Sequence, residues 1–539
     1  MSNVASSHAR KSEPSSAKET AISLLIAFTI ALIFRGIVLE PFQIPTGSMA
    51  PTLLGAHVRL RDTDTGYQWA TAPSEYVDRG LQMPRPTQNV QTAVAPMTQR
   101  RLEPFRTRTS GGDRIFVLKY LYPYGEPERF DVVVFRNPTS PQEYYIKRLI
   151  GLSNEEIAIV DGDVFTRPRV EGRVEEPGAS WAASDWRIAR KPDRVQNAAW
   201  QELFDSRYTP LNPVRDGRRW FVSPWKGSGW EIEGRSVYRF GGTGATTLEW
   251  DQERRPITDL THYNDAPQFN FRPGVPMARY PVADVRLRAG VKPGKDGGMA
   301  GATITVNGHE FNARVEGNAA EVRMRPIGGE GSWTVLARAE GVTPLAAGRV
   351  TEVEVAHADQ AVSLRLDGAL VVRGEYEWTP QQRLEFATGQ PASAMLSTAV
   401  MPYPVSRPEL YTRPGARFEF DAGEVELHRV SLARDFFYQP AWNTTPPRLN
   451  TPARGSHPDS PVITRDGEYF MAGDNSGASL DGRLWGENDR WVSALIDENE
   501  GVVSRDLVVG KAFCVFFPAL VWQWGIVPIP DLGHVRWIW

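Results

Sequence analysis

The chain has 539 residues, and 61 basic against 64 acidic side chains leave a net charge of −3, so no global field recruits nucleic acid or an anionic surface. Its one cysteine, Cys514, excludes internal disulfides and any cysteine-based zinc site. The 42 prolines, 47 glycines and 17 tryptophans point to many short strands and turns, not to long helices.

Residues 1–20 are rich in Ser, Ala, Lys and Glu and read as a disordered tail. Residues 21–39 then run apolar with a single charge, Arg35, and as a helix would span about 28 Å, enough for a bilayer. Arg35 lies near the far end, where its long stem reaches the interface. No small-x-small cleavage site follows, only Glu40-Pro41-Phe42, so the segment reads as an anchor and not as a removed leader. Arg10, Lys11 and Lys18 precede it and favour a cytoplasmic tail, with everything after Leu39 outside.

Next comes Pro41-Phe42-Gln43-Ile44-Pro45-Thr46-Gly47-Ser48-Met49-Ala50-Pro51-Thr52-Leu53. Prolines on either side of Ser48 fix φ, and Gly47 permits close approach of another group to the backbone, so the hydroxyl sits in a rigid turn. Residues 61–110 are polar and broken by prolines, as a loop-rich insertion would be, with a basic cluster at Arg100, Arg101, Arg106 and Arg108. Strands are predicted over 114–119, 130–135 and 143–150, the second so continuously apolar that both of its faces should be covered. A hairpin turning at Asp161-Gly162 is predicted over 156–165.

From about 166 to 462 the texture changes to many short strands, and Asn307-Gly308 and Asp367-Gly368 are two-residue hairpin turns between alternating runs. This reads as an inserted all-β sandwich. WQELFD from Trp200, WEIEGRSVYRF from Trp230, LRLDGALVV from Leu364 and VELHRVSLARD from Val425 resemble concanavalin-like and laminin-G-like jelly rolls, which implies a glycan or envelope partner or mere scaffolding. Another strand is predicted over 507–517. The uncharged stretch 512–530 is long enough for a second span, but Pro518, Pro528 and Pro530 argue against a lipid-exposed helix.

A serine needs an adjacent base to become a nucleophile. The eight histidines form no constellation with Ser48, whereas Lys147 sits inside an apolar strand between Tyr145-Ile146 and Arg148-Leu149. Burial lowers a lysine's pKa, and a like charge such as Arg148 or Arg483 nearby lowers it further, leaving a neutral amine able to take the serine proton.

EPFQIPTGSMAPTLLG, GDRIFVLKY, YYIKRLIGL and GDNSGASLDGRLWG, in that order, resemble the successive boxes of type I signal peptidases. The resemblance implies an N-terminal span, a mainly β catalytic domain on the extracytoplasmic side of the cytoplasmic membrane, no cofactor or metal, and cleavage of signal peptides from exported preproteins. By motif position it implies Ser48 as nucleophile and Lys147 as general base, and Thr46 with the Ser48 N–H as oxyanion donors. Ser479 would hold the lysine amine, and Asp481, Arg483 and Arg148 would form a supporting charge network with Asp474 beside them. Phe42, Ile44, Leu53, Tyr145 and Ile146 would wall pockets admitting only small residues at the −1 and −3 positions. Ser476, Gly477 and Ala478 stand where the family carries Arg-Asp-Asn.

The division expected is tail 1–20, span 21–39, catalytic core 40–165 and 463–539, and inserted sandwich 166–462. Every residue given a catalytic role lies outside the sandwich, so the insertion is expected to be dispensable for chemistry. The competing reading is a catalytically silent, membrane-anchored binding protein that uses the sandwich to recognise its partner. A self-cleaving repressor also uses serine and lysine, but it would need a DNA-binding helix-turn-helix where this chain has its apolar span.

Overall fold

The computed structural model describes residues 17–78, 83–90, 93–173, 178–264, 279–328, 332–399, 401–443, 448–523 and 527–539. Most of the predicted tail therefore lies outside the described residues. The chain is mainly β. Its one helix long and apolar enough to cross a membrane, among the described residues, is Ala17–Ile37, and no residue of it is buried by protein. It begins four residues earlier than predicted, because Lys18, Glu19 and Thr20 join its first turn. It ends sooner, because Leu39 enters a strand opposite Leu118.

The first sheet runs in the order Leu39–Gln43, Arg114–Leu118, Val508–Phe517, Val132–Asn137, Ser140–Gly151, Glu468–Ala472 and Val503–Ser504, with antiparallel neighbours throughout. Val132–Asn137 explains its own apolar run: Val132 and Val134 join one core cluster with Ile115, Val117 and Val515, while Val133 and Phe135 join another with Leu149, Tyr469 and Met471. That strand starts two residues later than predicted, since Phe130 has φ of 72° and cannot continue a β ladder. The next strand starts earlier, at Ser140, across a register shift before Tyr144. Residues 520–530 contain two strands, Leu520–Gln523 and Val527–Pro530, rather than a second span. The 61–110 stretch is not only loop, for it contains two-stranded ribbons such as Thr87–Val90 on Phe105–Arg108.

Glu155–Val160 and Asp163–Pro168 form the predicted hairpin, with Asp161 and Gly162 at φ of 49° and 85°, the paired left-handed residues that a tight two-residue turn requires. Val462–Ile463 pairs with the same hairpin on its other side, so the chain leaves and returns at neighbouring strands. Between these points lie two large antiparallel sheets. One is built around Val285–Pro293, Thr351–Ala358 and Val425–Arg434, the other around Met299–Val306, His309–Glu316 and Gly415–Asp421. Their inward residues, among them Trp225, Trp250, Leu287, Phe311, Val355 and Phe418, share one core. The Asn307-Gly308 and Asp367-Gly368 turns have positive φ at both residues, as predicted.

Where the sandwich meets the first hairpin, the buried carboxylates Asp163, Asp284 and Asp359 converge. Two buried cations pair with them: Arg383 bonds Asp161 and Asp163, and Lys191 bonds Asp359 and Asp435. Burial alone would lower the Lys191 pKa, but the attraction of Asp359 and Asp435 outweighs it and holds the amine well above its ordinary value.

Candidate active site

The turn that carries Ser48 is anchored from below. Met49, Ala50 and Leu53 have no accessible surface, and Leu53 N donates to Met49 O at 2.9 Å. The Ile44 N–H is held by Asp113 O and the Ala56 N–H by Pro45 O, which closes the loop and leaves Ser48 only half-buried. Ser48 N–H donates to no described residue, and Thr46, also half-buried, lies two residues before it.

Lys147 reaches the turn from the strand Ser140–Gly151. Its Nζ lies 2.8 Å from Ser48 Oγ and 3.0 Å from Ile146 O, and the side chain is almost fully buried. Burial is the main reason its pKa falls from 10.5 to about 8; Arg483 lowers it further, while Asp481 and Asp474 pull the other way. Arg148 is not among the groups that depress it.

The charged residues form two separate pairs rather than the single network expected. Arg148 grips Asp474 with two bonds of 2.7 Å and donates to the Phe130 and Trp539 carbonyls. Thr52 Oγ1 donates to Asp474 Oδ2 at 2.6 Å, which ties this pair to the Ser48 turn. Arg483 makes its own two-bond contact with Asp481, at 2.8 Å each, and Asp481 also accepts from Gly473 N. Burial pushes the Asp481 carboxyl up, but Arg483 outweighs burial and holds it below the ordinary range. Arg483 further donates to Ser476 Oγ, in the short turn Ser476–Ala478.

Two expectations need correction. Ser479 is buried beside Gly473, but no hydrogen bond joins it to Lys147, whose amine goes to Ser48 and the Ile146 carbonyl instead. Among the expected pocket residues, Phe42, Tyr145 and Ile146 keep accessible surface, whereas Ile44 and Leu53 are 2% and 0% exposed and act as packing behind the turn.

The insertion is not set apart from this site. Tyr263 lies against Gly47, where a Cβ would overlap its ring, and Asn264 is hydrogen-bonded to Asn475. The expected separation of insertion from chemistry does not hold in the geometry. Nothing in the periodicity around residues 262–264 marks them; Asn475 was at least legible as part of Gly-Asp-Asn. Gly47→Ala is expected to cost about 1–3 kcal/mol through this overlap, measured as denaturant unfolding of the detergent-solubilised protein. Wild-type stability for that variant would show that the Tyr263 ring moves aside freely.

Comparison with known proteins bears on what this arrangement is. The family profile described as "Signal peptidase, peptidase S26" matches residues 91–181 and 414–517. Over these residues the chain is similar to the S26 signal peptidases. Lys147, Arg148, Asp474, Asp481 and Arg483 fall inside the matched residues, Ser48 precedes them, and residues 182–413 are unmatched. Signal peptidase I of Rickettsia prowazekii (strain Madrid E) is 30% identical over 154 residues, covering 28% of this chain and 44% of that one. Signal peptidase I of Rickettsia typhi is 28% identical over 158 residues, covering 29% and 46%. The chain thus spans about half the length, or slightly less, of the curated relatives it matches. Among solved structures, the carbohydrate-binding module CBM66 from Bacillus subtilis is 10% identical, covering 39% of this chain and 96% of that one with a TM-score of 0.22. That likeness is too slight to argue from.

Proposed function

We propose that this protein is a membrane-anchored serine endopeptidase that removes signal peptides from exported preproteins, cutting after small residues at −1 and −3. The observation that carries the reading is the 2.8 Å contact between Ser48 Oγ and a lysine amine whose burial lowers its pKa to about 8. The neutral amine of Lys147 takes the Ser48 proton as Oγ attacks the scissile carbonyl carbon. The oxyanion that forms faces the Ser48 N–H, with the Thr46 hydroxyl as second donor. Lys147 then passes its proton to the departing amine, which leaves an acyl-enzyme. Water, deprotonated by the same lysine, releases the signal peptide and regenerates Ser48.

Phe42, Tyr145 and Ile146 would bound the substrate groove and exclude large side chains, so specificity comes from clashes. On this reading 40–165 and 463–539 are the catalytic core, 166–462 is the inserted sandwich, and neither metal nor cofactor takes part. The test is incubation of the full-length protein in detergent with a synthetic peptide carrying Ala at −3 and −1. Cleavage after the −1 Ala is expected, with none when −1 is Leu. Equal cutting of both peptides would sink the specificity, and no cutting of either would sink the function.

On this reading the catalytic domain lies outside the cytoplasmic membrane, behind the anchor. Protease added to spheroplasts should digest the chain after Leu39 while a tag before Ala17 stays protected; the reverse pattern would invert the topology. For the sandwich the partner we propose is a glycan or envelope component, met by the polar sheet face where Arg323 and Arg325 each stack 4.4 Å from the centre of the Trp333 ring. Retention on immobilised cell-wall glycan, lost in Trp333→Ala, would support it, and equal retention of both proteins would not.

A further inference from the structure

The nucleophile turn is held by a residue of the insertion acting through Asn475. Asn475 Nδ2 donates to Gly47 O at 2.9 Å, and its backbone N–H donates to Ser48 O at 3.0 Å, so both carbonyls flanking Ser48 Cα are pinned. The Gly47 carbonyl and the Ser48 N–H belong to one planar peptide unit and point in opposite directions. Fixing the first aims the second, and the Ser48 N–H is the donor that makes no bond with the described residues.

Asn264 holds the Asn475 amide in the orientation that the Gly47 carbonyl requires. The two side chains form a reciprocal pair: Asn264 Nδ2 donates to Asn475 Oδ1 at 2.6 Å, and Asn475 Nδ2 donates to Asn264 Oδ1 at 2.9 Å. With Oδ1 occupied by Asn264, Nδ2 is left to serve Gly47 O. A flipped amide would set oxygen against oxygen at both places.

The rest of the insertion holds Asn264 in place. Its neighbour Tyr263 packs its ring on Gly47 and donates from its hydroxyl to Ala56 O at 2.7 Å, while its own carbonyl accepts from Ala72 N at 2.8 Å. On the far side Gln439 N donates to Ser476 Oγ at 2.8 Å, and Arg483 Nη1 donates to Gln439 O at 3.0 Å. The 259–264 and 434–439 segments close on the 474–477 turn so fully that a cavity of only about 20 Å³ remains, room for one water. Asn264 and Asn475 are 8% and 2% exposed, so no bulk water substitutes for the pair.

We propose that Asn264 is a positioning residue of the active site, fixing the Asn475 amide and through it the direction of the Ser48 N–H toward the oxyanion. This rests on the serine–lysine endopeptidase reading above. A misdirected oxyanion donor lowers the chemical step and leaves ground-state binding nearly untouched.

The experiment uses the full-length protein in detergent and the Ala-Ala peptide. Asn264→Ala is expected to lower kcat by about ten- to a hundredfold with KM changed less than about threefold. The midpoint of its pH–rate profile should not move, because Asn264 does not act through Lys147. Asn264→Asp keeps the size but turns an acceptor toward Asn475 Oδ1, so it should lose at least as much. In an Asn475→Ala background, Asn264→Ala should cost nothing further. The proposal is overturned by an unchanged kcat in folded Asn264→Ala, by a loss confined to KM, by a shifted pH midpoint, or by additive losses in the double variant. Failure of both the Ala and the Asp variants to fold would make Asn264 a folding residue and overturn it equally. If the wild type neither cuts the peptide nor is acylated at Ser48 by a serine-reactive penem, the endopeptidase reading fails first, and the wild-type control alone shows this.

Discussion

Ser48→Ala and Lys147→Met are each expected to lower peptide cleavage by a factor of about 10⁴ or more while the protein stays folded and membrane-associated. On the proposed mechanism one substitution removes the attacking oxygen and the other its base, and neither touches Ala17–Ile37 or the cores that hold the sheet. The wild-type pH profile follows from the same pair. In that mechanism the working form of Lys147 is the neutral amine, and its pKa is lowered to about 8 by burial. Below that value the protonated fraction grows, so kcat/KM should fall about tenfold per pH unit; above it the rate should level off. A rate that declines steadily from pH 6 to 9, or measurable turnover by either variant, would remove the dyad from the mechanism.

Breaking the Arg148–Asp474 pair should cause a large loss of stability. Both side chains have no accessible surface and face each other through two bonds of 2.7 Å. Removing one partner strands a charge in the interior, so Arg148→Ala or Asp474→Ala is expected to cost about 3–5 kcal/mol. Burial works against the Arg148 charge, but Asp474 outweighs it and keeps the guanidinium charged throughout the working pH range. Asp474 also receives Thr52, so the loss should reach the Ser48 turn and activity should fall with stability. The double variant Arg148→Met/Asp474→Leu, which strands no charge, should recover much of the stability but not the activity. Denaturant titration followed by tryptophan fluorescence reads all three. A loss below about 1 kcal/mol for the single variants would mean that water reaches the stranded charge.

Several elements were legible because their signals are local. Val132 to Phe135 read as a strand covered on both faces, and successive residues do enter two different cores. Asp161-Gly162, Asn307-Gly308 and Asp367-Gly368 read as hairpin turns because only residues tolerant of positive φ fit there. The helix was legible from composition, but its ends were not. Where it stops depends on Leu39 pairing with Leu118, a contact far along the chain.

By itself the sequence determined the period of each strand, the chemistry of each tight turn, the apolar helix, and the residue types able to act as nucleophile and base. These are properties of a few neighbouring residues. Only the tertiary structure decided which of them meet. It brings Lys147 to Ser48, turns Arg148 to Asp474 instead of Asp481, and buries Ile44 and Leu53 behind the turn. It also carries Tyr263 and Asn264 from the insertion onto Gly47 and Asn475. The physical reason is that hydrogen bonds of an amide or a carboxylate are short and directional, so partners are chosen by where distant segments come to rest. Asn264 and Asn475 are 211 positions apart, and no periodicity in either segment encodes the path that joins them.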